Sequence, residues 1–354
     1  MAGVTDIEAV LGHEYKGLLN YVCTSVPSNS IFTPGPDFLE RVSTNSEHNP
    51  RTLAALQRLF GTGRLADTGY LSLLPVDHGI AHTAGMVFAA NPAYLDPASI
   101  VQLACEGGCS GLVTTYGALG AMARVAAHHL PLVLKLNHDE QFAWPARFEN
   151  ILFARVQEAE AMGCSAVAAT VYFGGPNARR ELGMISELFS FAHELGLATV
   201  LFCYLHPRAL NVEGKEIVFA ADLTAEANHQ GVTIGADLIK QKQPLWTGGY
   251  AALGPGYGKT DERIYTTLST PHPIDLTRYQ VLLGYCGRAG LIHSGGAKGD
   301  NDIQAVVRSA VINKRGGGMG MLAGRKAFQV PVVRGVQLLH AIQDVYLDKS
   351  ISLA

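Results

Sequence analysis

AMGCSAVAATVYFG, residues 161–174, reads as the end of a helix, a glycine turn and then a buried strand. Gly163 suits the position after a helix because it accepts the left-handed conformation without a Cβ clash. The apolar, β-branched run after it breaks at Tyr172, Phe173 and Gly174. Working outward, the same unit recurs as EGGCSGLVTTYG at 106–117, ELGLATVLFCYL at 194–205 and TIGADLIKQK at 233–242. It recurs again as GRAGLIHSGG at 287–296 and GGGMGMLAGR at 316–325. Two further strands lack the glycine lead-in, YLSLLPVDHG at 70–79 and PLVLKLNH at 131–138. The spacers include two amphipathic stretches, PARFENILFARVQEAEAMG from Pro145 and NARRELGMISELFSFAHELG from Asn177.

Strands alternating with helices imply a parallel sheet with helical crossovers. Eight such units fit a closed (β/α)8 TIM barrel, an α/β fold of typically about 250 residues. The rival, an open doubly wound sheet, carries a glycine fingerprint in its first turn. Val76-Asp77-His78-Gly79 is not one. The 354 residues are expected to form one domain. It divides into an N-terminal helical extension at 1–68, packed outside or beneath the barrel, the barrel at 69–346 and a tail at 347–354. Residues 243–283 form the longest interruption between strands. They follow the sixth strand and are expected to cover a substrate.

Composition narrows the class. At 48% hydrophobic residues the chain can build a sizeable core, and a net charge of −3 leaves no electrostatic footprint for nucleic acid. No apolar run reaches the roughly 18 residues of a membrane helix. The start, MAGVTDIEAVLGHEYKGLL, does not read as a signal peptide. The six cysteines, at 23, 105, 109, 164, 203 and 286, show no CxxC pairing and are expected mostly as buried free thiols. A cytoplasmic location fits these features.

Active-site residues of such barrels come from the C-terminal strand ends. The tips offer Asp77, Tyr116, Lys135 with Asn137 and His138, Tyr172, Tyr204, Lys240 with Lys242, Ser294-Gly295-Gly296 and Gly324-Arg325. Strand alternation puts Lys240 and Lys242 on the face of Leu238. If Leu238 points inward, so do both lysines. An isolated strand lysine is more often structural, but two at i, i+2 on a barrel strand end favour chemistry. Burial and a neighbouring cation both lower a lysine pKa, and a neutral amine can attack a carbonyl to form an imine. Tyr204, on the adjacent strand, is the candidate acid/base. Asp77 is the candidate partner of substrate hydroxyls. Ser294, Gly295, Gly296, Gly324 and Arg325 are candidates for a phosphate site, because loops after strands seven and eight commonly form one. Lys242 and Lys135 join them as substrate- or phosphate-binding candidates.

Other motifs carry less. GPGYGKT at 254–260 would need Gly at 253 to be a nucleotide-binding loop, and Leu253 stands there. It reads as a covering loop whose Lys259 reaches a second phosphate. The run Gly316-Gly317-Gly318 fits no dinucleotide fingerprint. His78 and His82 are spaced i, i+4 without an accompanying carboxylate, and His128-His129 read as surface residues ending a helix. No metal ligand set and no cofactor are expected.

Taken in order, TGRLADTGYLSLLPVDHG, TTYG, LKLNH, ATVYFG, GADLIKQK, RAGLIHSGG, INKRGGGMGMLAGRKAF and QDVYLD resemble the bacterial and archaeal-type class I fructose-bisphosphate aldolases over nearly the whole chain. The resemblance implies that Lys240, not Lys242, forms the Schiff base with the substrate ketone. It makes Tyr204 the acid/base and Asp77 an assistant at the substrate hydroxyls. It gives Ser294, Gly295, Gly296, Gly324 and Arg325 the phosphate of the dihydroxyacetone-phosphate half. It also implies a sugar-phosphate substrate, no metal, and a large homo-oligomer, often a decamer. The family often has Trp two residues before the tyrosine; Phe202 stands there. Alternatives on the same scaffold are another lysine-dependent sugar-phosphate aldolase or transferase, a non-catalytic sugar-phosphate-binding barrel, and a metal-dependent aldolase or isomerase.

Overall fold

Eight parallel strands close on themselves in a computed structural model that describes residues 4–46, 48–80, 82–140, 142, 148–213, 216–254, 256 and 260–354. They are β1 Leu71–Val76, β2 Gly111–Thr114, β3 Leu132–Lys135 and β4 Ala166–Phe173, then β5 Ala198–Leu205, β6 Leu238–Gln241, β7 Gly290–Ser294 and β8 Gly320–Leu322. Each pairs in parallel with its neighbours in chain order, and β8 returns to β1 through Leu71 opposite Gly320. These are the eight strands read from the sequence. The glycine turns also behave as read: Gly196 and Gly235 take φ of +82° and +90° after their helices.

Strand alternation sorts the side chains into two apolar layers. Leu71, Leu73, Val113, Val133, Ala168, Val200, Phe202, Leu238 and Ile292 pack together inside the barrel. Their neighbours Leu74, Leu112, Leu134, Val167, Leu201, Ile239 and Leu291 pack outward with the helices. The inward parity settles the orientation of the strand tips. Asp77, Lys135, Tyr204, Lys240, Lys242, Ser294 and Gly324 lie an even number of residues beyond an inward residue.

The extension plugs the bottom of the barrel. Asn49 caps the helix Pro50–Phe60 by accepting from Arg51 and Thr52 amides. Leu56, Leu59 and Phe60 of that helix join the interior cluster, and burying each contributes about 1.5–3 kcal/mol. The buried guanidinium of Arg278 ties distant segments together by donating to the carbonyls of Val26, Arg315, Gly316 and Ala354.

Two expectations about the fold need correction. The amphipathic stretch from Pro145 is not one helix. Asn150–Leu152 pairs antiparallel with Asn137–Asp139, and the helix runs only from Val156 to Ala161. The cause is local: Glu181 accepts from both the amide and the side chain of Asn150. Glu158 then accepts from the Arg155 amide at 2.8 Å and from its guanidinium at 3.0 Å, and the helix starts at Val156. Residues 145–147 lie outside the described residues. All six cysteines are free, but only Cys109, Cys164 and Cys203 are buried, and Cys105 is exposed.

Candidate active site

A cavity of about 290 Å³ opens at the C-terminal end of the barrel. Asp77, Tyr204, Lys240, Lys242, Ser294, Gly296, Gly324 and Arg325 all line it. These residues come from β1, β5, β6, β7 and β8 or the turns just beyond them.

Lys240 sits at the centre. Its ammonium donates to the Tyr204 hydroxyl and lies 4.3 Å from the centroid of the Phe202 ring. Burial pushes its pKa down; Asp77 opposes this and Arg325 reinforces it, leaving Lys240 at about 8. Roughly one amine in ten is then neutral at pH 7, against fewer than about one in a thousand for an ordinary lysine. Burial, Lys240 and Arg325 bring Lys242 to about 8 as well. Tyr204 moves the other way: burial and the Asp77 charge raise it, so its hydroxyl holds its proton in the resting site.

Lys135 does not line the cavity. It is fully buried behind Asp77, with Nζ 3.8 Å from Asp77 Oδ2. It donates to the Asn137 carbonyl at 2.7 Å and to Thr170 Oγ1 at 2.7 Å. Burial opposes charge on both partners. At Asp77 the attraction of Lys135, the largest from its cationic neighbours, outweighs it and holds the carboxyl below the usual range; at Lys135 burial prevails over Asp77 and brings the ammonium down to about 7. The expected substrate contact of Lys135 therefore becomes a positioning role on Asp77.

The opposite wall is an anion pole. Among the described residues, neither Lys242 nor Arg325 forms an ion pair with a carboxylate. Arg325 adds to the positive potential that disfavours a proton on Lys240 and on Lys242. Gly324 brings the β8 turn against β1, where an added Cβ would lie 2.7 Å from the Pro75 carbonyl. Gly295 contributes no wall of its own. It packs against Ala323, and its amide donates to the Leu322 carbonyl at 2.9 Å.

A buried polar network fixes the β6 tip from behind. Gln241 Oε1 accepts from the Lys242 amide at 2.7 Å, and Gln280 donates to the Lys242 carbonyl at 3.1 Å. Gln280 also pairs with His293 at 2.9 Å.

Other wall residues escaped the sequence reading. His78, His82 and His138 were considered only as metal ligands or tip residues, yet all three face the cavity. Burial lowers all three, His78 to about 4 and His138 to about 3, so they present neutral imidazoles at neutral pH. Pro207, Val218 and Phe219 close one side from the loop after β5. None of the described residues of 243–283 lines the cavity. Part of the long interruption is the barrel helix Pro273–Leu283, which packs behind β7. Lys259 lies outside the described residues. Tyr116 opens the helix after β2, is exposed, and does not line the cavity.

With this geometry in view, similarity to known proteins is informative. A family model for DeoC/LacD family aldolases matches residues 71–330, from the first residue of β1 to just beyond the β8 turn. A protein of Chlamydia pneumoniae named probable fructose-bisphosphate aldolase class 1 is 50% identical over 99% of both chains. Its counterpart in Chlamydia trachomatis, of the same name, is 48% identical over 99% of this chain and 100% of its own. Among solved structures, a fructose-bisphosphate aldolase from Slackia heliotrinireducens superposes with a TM-score of 0.65 at 19% identity, covering 92% of each chain. That likeness concerns the fold.

Proposed function

The chain belongs to the DeoC/LacD family of aldolases, and on that premise we propose that it is a class I fructose-bisphosphate aldolase working through an imine on Lys240. It reversibly cleaves fructose 1,6-bisphosphate to dihydroxyacetone phosphate and glyceraldehyde 3-phosphate. The observation that carries this reading is the buried Lys240 amine on the Tyr204 hydroxyl, in one cavity with the Asp77 carboxylate and the cations Lys242 and Arg325.

The chemistry follows from these groups. The neutral fraction of Lys240 adds to the ketone carbon, and the carbonyl oxygen departs as water, leaving a protonated imine. The imine is an electron sink. Tyr204, having given its proton to the oxygen that leaves as water, takes the proton of the C4 hydroxyl as the phenolate; the C3–C4 bond breaks, and its electron pair becomes an enamine on the retained three-carbon half. Protonation of that carbon and hydrolysis return the free amine. Asp77 accepts from substrate hydroxyls, which requires it ionised; Lys135 keeps it so. Lys242, Arg325, Ser294 and the turns at Gly296 and Gly324 take the phosphate of the retained half. The protonated imine does the polarising that a metal would do in a metal-dependent aldolase.

The proposal extends to a single 354-residue domain acting in the cytoplasm as a homo-oligomer. The six free thiols support a reducing compartment. Among the described residues, no helix is long and apolar enough to cross a membrane.

Borohydride reduction in the presence of dihydroxyacetone phosphate, followed by peptide mapping, tests the proposal. A stable adduct on Lys240 is expected. An adduct on Lys242 or Lys135 refutes the assignment, and no adduct refutes the imine.

A further inference from the structure

The barrel floor holds a second cluster of chemically capable side chains. Asp237 immediately precedes β6, His193 lies in the last turn of the helix Ala178–Glu194, and His48 precedes the helix Pro50–Phe60. Nothing in the sequence spacing links these positions. In the fold, His48 Nε2 is 2.5 Å from Asp237 Oδ1 and His193 Nε2 is 3.1 Å from Asp237 Oδ2. One ligand atom from each of the three residues lies within 4.8 Å of the others.

We propose that His48, His193 and Asp237 form a structural binding site for a divalent transition metal, zinc by preference, that clips the N-terminal extension to the barrel floor. Two imidazoles and one carboxylate are a zinc-type donor set, and ligand atoms about 2.0–2.1 Å from a tetrahedral ion stand about 3.3 Å apart. Admitting the ion therefore takes less than about 1 Å of opening on the His48 side. The outer shell is already built. Asp237 Oδ2 accepts from the Thr199 amide at 2.8 Å and from Thr199 Oγ1 at 3.1 Å, leaving Oδ1 to face His48. Such second contacts orient a ligating carboxylate. A cavity of about 220 Å³, bounded by His48 and Asp237 and walled by Leu56 and Phe60, gives access and room for a water as fourth ligand.

The site is separate from the reaction. Asp237 is three residues before Lys240 on the same strand, about 10 Å away toward the opposite end. The metal holds structure and leaves the imine chemistry alone, so the clip and the imine can each fail independently of the other. Without metal, the same three residues make a hydrogen-bonded clasp, and this is the reading to be excluded.

The experiment strips the full-length protein with a chelator and titrates it with Co(II) and with Zn(II). One equivalent of Co(II) giving the visible bands of a tetrahedral site is expected, displaced by Zn(II). Zinc is expected to raise the unfolding midpoint while kcat for cleavage stays unchanged. His48→Gln and His193→Gln, both checked for native circular dichroism, should each weaken cobalt binding at least about 100-fold and retain turnover. Absence of the tetrahedral spectrum in the parent protein overturns the proposal in favour of the metal-free clasp. Binding that survives both substitutions overturns it as well.

Discussion

Replacing Lys135 with Met tests whether a buried cation outside the cavity governs the carboxylate inside it. The substitution keeps most of the volume and removes the charge 3.8 Å from Asp77. At an effective dielectric constant of 20, that separation corresponds to about 4 kcal/mol, or roughly 3 pH units on Asp77. Asp77 is now held below the ordinary carboxylate range; without Lys135, burial dominates and lifts it to the region of pH 5. In the parent enzyme, log kcat/KM should rise with unit slope up to about pH 8, as Lys240 loses its proton. The Lys135→Met variant should acquire a second unit of slope below about pH 5, because a protonated Asp77 no longer accepts from the substrate. Initial rates of bisphosphate cleavage between pH 4.5 and 9, coupled to NADH oxidation, read this directly.

Stability should change in the same sense. A depressed folded-state carboxylate contributes stability above its unfolded pKa and loses it as pH falls through the folded value. Breaking a buried pair costs about 3–5 kcal/mol at neutral pH. The gap in unfolding midpoint between parent and variant should therefore shrink as pH falls from about 5, where Asp77 of the variant takes up its proton, toward about 2, where that of the parent does. An unchanged pH profile together with a pH-independent gap would refute the reasoning and reduce Lys135 to packing.

Two further substitutions address the remaining roles. Tyr204→Phe removes the hydroxyl beside Lys240; kcat for cleavage should fall about 10²–10⁴-fold while borohydride still traps the imine, and undiminished cleavage would eliminate Tyr204 as the acid/base. Arg325→Ala removes one of two cations at the anion pole; KM for the bisphosphate should rise about 10–100-fold with kcat little altered, from the loss of a charge-assisted contact, and an unchanged KM would place the phosphate elsewhere.

The sequence was a good guide wherever one local rule decided the outcome. Glycine after a helix and apolar runs of strand length marked all eight strands, because each depends only on neighbours along the chain. Alternation carried that further: once Leu238 is inward, Lys240 and Lys242 must be. It failed at Pro145, where the helical pattern was real but Glu181, 31 residues from Asn150, captured that backbone for a hairpin. Over 243–283, length alone did not reveal that part of the stretch is the helix packed behind β7.

Sequence by itself therefore determined the (β/α)8 barrel, the inward row of strand tips and the candidacy of Lys240, Tyr204, Asp77 and the two glycine-rich turns. Only the tertiary structure could move Lys135 from the cavity wall to its place behind Asp77. Only it could bring His78, His82 and His138 to the rim, set Pro207, Val218 and Phe219 along one side, and gather His48, His193 and Asp237 at the floor. The reason is physical. Strand parity follows from backbone geometry one residue at a time. Distance, burial and charge coupling depend on which strands and loops become neighbours when the barrel closes.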